Sequence, residues 1–428
     1  MRLFFFTFFL FFSLNLRAIE FKEIVTEKGI KFWFVEDKSI PLVSLSFSFS
    51  GGAVFDPEKK EGTTNLMTSL LDEGTENFSS LEYKLALKDC GAKIAFTTHR
   101  EKIDGSFRVV SSQIQKGFWL LQEVVNKAKF DQNEIEKVKK QLEASIKIDG
   151  SDVSTIASDK FNEDFFLGES FSRKIKGSIK SLKNISRKDI YESYLLNFNR
   201  NFLKIGIAGD IDEENAKKYI DYIFGDLPQN GKENKITFSK LNKGMKTYNI
   251  ETPQSTVIFG KKGLSRNDKN FFAARIVNYV LGGGSFQSRL YKEVREKRGL
   301  VYSISTYLLP YENDGLIMGV FQTRNETVNE TIDKVKEEWD KILKKGISKK
   351  EFNDAKTYYK GSFSRNFTST ISIANLLKIV QYYNLGKDYF KKRDRIINDL
   401  TLKQVNEAAR NLFKSNELFF VIVGKLKK

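Results

Sequence analysis

The chain repeats itself. Ser186 opens the segment SRKDIYESYLLNF and Thr401 opens TLKQVNEAARNLF, each a hydroxyl residue followed by apolar positions at helical spacing. Both run into a short apolar stretch that ends in glycine, FLKIGIAG at Gly209 and LFFVIVG at Gly424. The offset is the same at either end, 401 − 186 = 215 and 424 − 209 = 215. Upstream, EIEKVKKQLEASIK from Glu134 stands opposite EFNDAKTYYKGSFS from Glu351, with 351 − 134 = 217. A spacing kept over that length points to two copies of one αβ plan, so the 428 residues divide into two domains rather than one large core. The stretch PQNGKENKITFSKLNKG is polar and rich in turn formers. It sets the division at residues 19–227, a linker over 228–245, and 246–428.

Local patterns fill in each copy. Leu42 to Ser50 alternates Val43, Leu45, Phe47 and Phe49 with Ser44, Ser46, Ser48 and Ser50, which predicts a strand with one buried face and one wet face. Further strands are expected at 31–36, 93–98, 105–110 and 203–208. Helices are expected at 63–73, 80–88, 113–125, 133–147, 153–166 and 186–197, the last capped by Ser186 with Asp189. The second copy restarts with a strand at 256–260, a helix at 268–281 and strands from Val301 and at 315–323. A cleft between the two halves is where a ligand site is expected.

Composition excludes one class of partner and sets a compartment. The formal charge of +17 comes with Lys interleaved among Asp and Glu, as in KVKKQLEASIK, which is the pattern of solvated helix faces. No zinc-finger spacing, recognition-helix pattern or aromatic-plus-basic RNA motif accompanies it, so nucleic acid is not an expected partner. At the N-terminus, Arg2 precedes an apolar run from Leu3 to Phe12 and Ala18 offers a cleavage point. That is the pattern of a secretory signal peptide over residues 1–18, which predicts a periplasmic protein. An uncleaved anchor is the alternative, although the run is shorter than the roughly 20 apolar residues a spanning helix needs. Cys90 is the only cysteine, so no intrachain disulfide can form, and it reads as a small buried hydrophobe.

Chemistry is concentrated in LGGGSFQSRLYKEVREKRGLVYSISTY, from Leu281 to Tyr307. The glycines Gly282, Gly283 and Gly284 follow an apolar helical pattern. A helix-like segment then carries Arg289, Arg295 and Arg298 before Gly299 breaks it. Arg295 and Tyr302 therefore flank a helix-to-strand corner, where a guanidinium and a phenol make donors suited to carbonyl or carboxylate oxygens. Equally, the basic residues and glycines form an ordinary helix terminus.

This segment, GGAVFDPEKKEGTTNLMTSLLDEGTENFS in the first half and the duplication together resemble the pitrilysin/insulinase family of inverted-motif zinc metallopeptidases. The resemblance covers essentially the whole mature chain. It implies an α+β fold of two homologous domains, each an antiparallel sheet covered by helices, closing like a clamshell on extended peptides. It also matches the family's paired Arg and Tyr, seven residues apart, to Arg295 and Tyr302, and the glycine run to a low, flexible substrate-binding loop.

The chain departs from the family at the metal. Catalytic members carry H-x-x-E-H, two zinc-binding histidines and a glutamate that activates water. Here Asn65, Thr68 and Ser69 stand at those places, and the third ligand would fall at Glu143 or Ala144. His99 is the only histidine, so no two-histidine site can be assembled and no metal is expected in this chain. Some family members work as pairs, one subunit with the zinc motif and the other with the Arg and Tyr. The resemblance thus implies a non-catalytic, substrate-binding subunit of a heterodimeric zinc peptidase acting on peptides, with zinc in a partner homologue and Arg295 and Tyr302 acting in trans. The alternative is a peptidase-derived binding or scaffold protein with no proteolytic partner. A peptidase with a different site finds no support, since no base lies near Cys90 or any candidate serine in sequence.

Overall fold

The computed structural model describes residues 21–229 and 236–425, and the expected signal peptide lies outside them. Strands β1 (Lys22–Val25), β2 (Lys31–Glu36), β3 (Leu42–Ser50), β4 (Lys93–Thr98), β5 (Lys102–Val110) and β6 (Leu203–Gly209) form one sheet, in the order β1-β2-β6-β3-β5-β4. A second sheet, β7-β11-β8-β10-β9, contains β7 (Gly244–Asn249), β8 (Gln254–Lys262), β9 (Val301–Pro310), β10 (Gly315–Arg324) and β11 (Phe419–Gly424). Leaving out β1, the two orders coincide strand for strand. Each sheet is antiparallel but for one pair, β2 with β6 and β7 with β11. The sequence repeat ends on the parallel partner in both copies, at Gly209 and Gly424, so the duplication is one of topology as well as sequence.

The alternation in β3 gives the strand its expected ends but not its wet face. Phe47 and Phe49 point into the first core with Leu66, Met67 and Leu70 of helix Thr63–Leu70. On the other face Ser44, Ser46 and Ser48 are 0, 3 and 0% exposed. Their cover is helix Thr370–Tyr382, which comes from the second half and packs on β2, β3 and β6. Ser44 Oγ lies 2.8 Å from Thr370 Oγ1, and Gln381 Nε2 donates to Ile205 O at 2.5 Å. The approach is close enough that a Cβ on Gly206 would sit 2.1 Å from Ala374 O. The serine face here is covered by a helix, not by water.

The exchange is reciprocal. Helix Val153–Phe165 of the first half packs on β8 and β11 of the second sheet. Phe161 and Phe165 stack at 4.9 Å, and Phe165 meets Phe419 at 6.1 Å. These two helices are repeat-equivalent, since 370 − 153 = 217 is the offset already found at Glu134 and Glu351. Each half therefore completes the other's sheet.

The segment between the halves also carries structure that its polar composition conceals. Gly244 and Met245, inside the stretch read as linker, begin β7. Phe238 is buried among Phe166, Phe171 and Tyr311, at ring distances of 5.0, 4.7 and 5.4 Å. Its amide donates to Asp314 Oδ2 at 2.7 Å.

A second junction joins the tip of the β4–β5 hairpin to the β9–β10 loop, where Glu101 Oε2 accepts from Glu312 N at 3.0 Å. Burial pushes the Glu101 carboxyl up to about 7, and the neighbouring Glu312 and Asp314 add to the rise. A carboxyl whose folded value is raised binds its proton more tightly folded than unfolded, so its contribution is present at low pH and lost as pH rises through about 4.5 to 7. Glu101→Gln is expected to flatten this part of the profile, by on the order of 2 kcal/mol between pH 5 and 8. Urea midpoints of the wild type and variant across that range test it. Parallel profiles would remove Glu101 as the cause.

Candidate functional site

The helix that carries the degenerate motif is pinned at its start. Asp56 accepts from Gly62 N at 2.8 Å, Thr64 N at 2.9 Å and Thr64 Oγ1 at 2.6 Å, which satisfies amides that a helix N-terminus leaves unpaired. Thr68 Oγ1 donates to Asn65 O at 3.0 Å and lies 2.8 Å from Thr98 Oγ1, while Ser69 Oγ donates to Asn65 O at 2.8 Å. The hydroxyls are turned to the helix backbone and to β4. Neutral oxygens engaged in this way do not fit zinc, which takes imidazole, thiolate or carboxylate. Among the described residues no group of three or more His, Cys, Asp or Glu side chains is placed to hold a metal ion. Glu143 lies half-buried on helix Gln132–Asp149, next to Ala144. His99 pairs with Asp104, Nε2 to Oδ2 at 3.3 Å, and Cys90 is buried with Sγ directed at Leu87 O.

The three arginines of the Leu281–Tyr307 segment have separate tasks. Arg289 is bound to Glu351, Nε to Oε1 and Nη2 to Oε2, both at 2.7 Å, and also reaches Gly346 O. Arg298 closes the helix end by donating to Glu293 O at 2.7 Å and Glu293 Oε2 at 3.0 Å. The terminus-capping role belongs to Arg298. Arg295 instead stacks, with its guanidinium carbon 4.7 Å from the Tyr291 ring centre and 5.1 Å from that of Tyr302. Tyr291 is buried and Tyr302 is 83% exposed, so the cation is held from one side and open to the other.

Local backbone explains the placement. Residues Tyr291–Glu296 form a widened π-turn, ending where Gly299 takes φ +60° and Leu300 N reaches back to Val294 O at 3.1 Å. The chain then enters β9, an edge strand paired only with β10. The glycine run is not a loop. Tyr279–Gly283 continues the preceding helix as another π-turn, and Gly284 ends it by donating its N–H to Tyr279 O at 2.9 Å. Gly282 lacks a side chain because the turn lies against β9, where a Cβ would sit 2.6 Å from Thr306 Oγ1 and 3.0 Å from Thr306 N.

Arg295, Tyr302, Gly282 and Gly283 line one cavity of about 560 Å³, together with Arg275, Asn278, Tyr307 and Tyr359. A neighbouring cavity of about 680 Å³ lies between the halves, from His99 and Arg100 to Tyr311 and Met318, and the two share Leu309. Asn65, Thr68 and Ser69 line neither. Sequence reasoning missed Arg275 and Asn278. Their signal was present, since Arg275, Asn278 and Gly282 recur at helical spacing and Arg275 interrupts an otherwise apolar pattern.

Comparison with known proteins agrees with this geometry. Residues 32–178 match the model of the insulinase family, peptidase family M16, and residues 184–359 match that of the peptidase M16 inactive domain. A Helicobacter pylori protein named non-peptidase homolog YmxG is 24% identical over 98% of this chain and 97% of its own length. The β subunit of the mitochondrial processing peptidase of Saccharomyces cerevisiae is 21% identical over 82% of this chain and 81% of its own. A crystal structure of a peptidase M16 inactive domain from Pseudomonas fluorescens superposes with a TM-score of 0.90, 24% identity, and coverage of 96% of this chain and 99% of that one. With the repeat and the paired sheets, these matches identify the chain as a member of the insulinase family, peptidase family M16, that lacks the zinc motif of catalytic members.

Proposed function

We propose that this chain is the substrate-binding, non-catalytic subunit of a heterodimeric zinc peptidase, and that it meets its partner and its peptides in the periplasm. The observation that carries the reading is the Arg295–Tyr302 pair. One chain has lost every metal-binding position of its motif, yet keeps a guanidinium and an exposed phenol stacked together where a π-turn leads into an edge strand, beside a cavity. Such donors stabilise negative charge on a carbonyl oxygen wherever the nucleophile comes from, so a zinc-bearing homologue is the natural source of the water-activating metal. An extended peptide has room in the cavity between the halves, and β9 offers it a strand edge. The N-terminal pattern of charge, apolar run and small residue supports export.

Two expected results follow from this reading. Dialysed protein is expected to carry well under one zinc per chain, because Asn65, Thr68 and Ser69 offer only neutral oxygens. Metal analysis by mass spectrometry decides it, and one zinc per chain that survives dialysis would overturn the reading. Co-expression with a family member bearing H-x-x-E-H should yield a complex that survives gel filtration, with an interface of roughly 2,000 Å² or more, and should generate peptidase activity that neither chain shows alone. Separate elution with no activity on mixing would favour the scaffold alternative.

A further inference from the structure

The cavity at Arg295 is cationic without a counter-ion. Its lining contains two arginines, four tyrosines and one phenylalanine, and no Asp, Glu or Lys. Arg275 stacks on Tyr359, guanidinium carbon to ring centre 4.4 Å, and Arg295 stacks on Tyr291 and Tyr302. Neither guanidinium forms an ion pair with a described carboxylate, although the other arginines of the segment, Arg289 and Arg298, both do. Held by rings rather than by acids, the two arginines keep donors for a ligand, Arg275 beyond those it turns to the Tyr359 hydroxyl. A second observation points the same way. The wall of the cavity holds two buried polar atoms with no partner, Asn278 Oδ1 and Thr306 Oγ1, while Asn278 Nδ2 is spent on Thr306 O at 3.2 Å. Unsatisfied buried groups are rare in folded proteins, and an acceptor and a hydroxyl left over behind the two arginines mark this wall as polar without a full set of partners.

We propose that this cavity takes a carboxylate carried by an extended peptide, bound by Arg275 and Arg295, so that Arg275 is a residue that sets specificity for acidic segments. The inference rests on the subunit reading above and deepens it by naming the chemistry of the substrate. A carboxylate fits because it accepts two parallel N–H bonds from a planar fork. Tyr359 and Tyr307 spend their hydroxyls on Arg275 O and Ser305 Oγ, so the exposed Tyr302 is the phenol placed to donate without adding charge. A basic peptide meets two like charges in the same space and is excluded. The carboxylate has two sources, an Asp or Glu side chain or the peptide C-terminus.

The test is direct binding to the full chain alone, measured by fluorescence anisotropy with labelled extended peptides. Three peptides differ only in charge: two internal Glu with an amidated C-terminus, the same peptide with Gln for Glu, and the Gln peptide with a free C-terminus. Binding of the Glu peptide about tenfold or more tighter than its amidated Gln twin is expected, with the preference shrinking as salt is raised. The same gain in the Gln peptide with a free terminus instead assigns the site to C-terminal carboxylates. Arg275→Gln should remove the preference and Arg275→Lys should keep part of it, with far-ultraviolet dichroism and melting temperature checked for both. Equal binding of all three peptides overturns the carboxylate site and leaves the subunit reading standing. No binding of any peptide overturns both.

Discussion

Tyr302→Phe and Arg295→Ala, each assembled with a zinc-bearing partner, are expected to lower kcat by about 10² to 10³, roughly 2.7–4 kcal/mol of transition-state stabilisation, with a smaller change in KM. A peptide carbonyl polarised by zinc becomes an oxyanion, and donors already oriented there stabilise the new charge without rearranging. The geometry favours this role for Arg295 because no carbonyl or carboxylate among the described residues occupies its fork. Arg298 is the internal control. It is tied to Glu293, so Arg298→Ala should lower the melting temperature slightly, by an amount equivalent to about 1 kcal/mol or less, and leave turnover alone. Wild-type turnover in both Arg295 and Tyr302 variants, with assembly intact, would rule out a part in the chemistry.

The second large effect is on stability. Phe161→Ala should cost about 3–5 kcal/mol, since a fully buried ring is lost and the cavity it leaves cannot close against a sheet. Phe161 belongs to the first half but fills space under the second sheet, packed against Gly260 and Phe419. The loss should therefore shift one cooperative transition for the whole chain, read as a lower urea midpoint in both dichroism and tryptophan fluorescence. The three tryptophans lie in different places, Trp33 in the first sheet, Trp119 against the first core and Trp339 in the second core. Two separated transitions, with only one displaced, would mean that the exchanged helices do not couple the halves.

Much of the fold was legible because its signals are local. Alternation fixed β3, the hydroxyl caps at Ser186 and Thr401 fixed two helix starts, and the constant offset disclosed the duplication. What periodicity could not show was what covers a face. Ser44, Ser46 and Ser48 read as solvent-facing because their cover lies 326 residues along the chain at Thr370. Phe238 was hidden for the same reason, a lone aromatic in a polar stretch whose pocket is built from three distant residues. At the site, Arg295 and Tyr302 were found because a motif marks them, whereas no motif marks Arg275, a single basic residue inside an apolar helical pattern. Its counterpart ring, Tyr359, is 84 residues away. The glycine run was misjudged as a loop because a π-turn has no sequence signature of its own, and only the nearness of Thr306 explains why side chains are excluded there.

The exchange of helices also fixes the order in which the molecule can be finished. A chain emerging from its N-terminus makes all six strands of the first sheet by residue 209, yet the helix that roofs it ends at Tyr382. Until then the sheet waits half-covered, the kind of long-range contact that slows folding and exposes surface to aggregation. On β3 the face left waiting carries Ser44, Ser46 and Ser48, beside Trp33 and Val35 of β2, and a serine such as Ser44 can bond water first and the helix's Thr370 later. A surface that must be wet first and dry later is served by side chains that tolerate both, and the row of serines in β3 has that property built in.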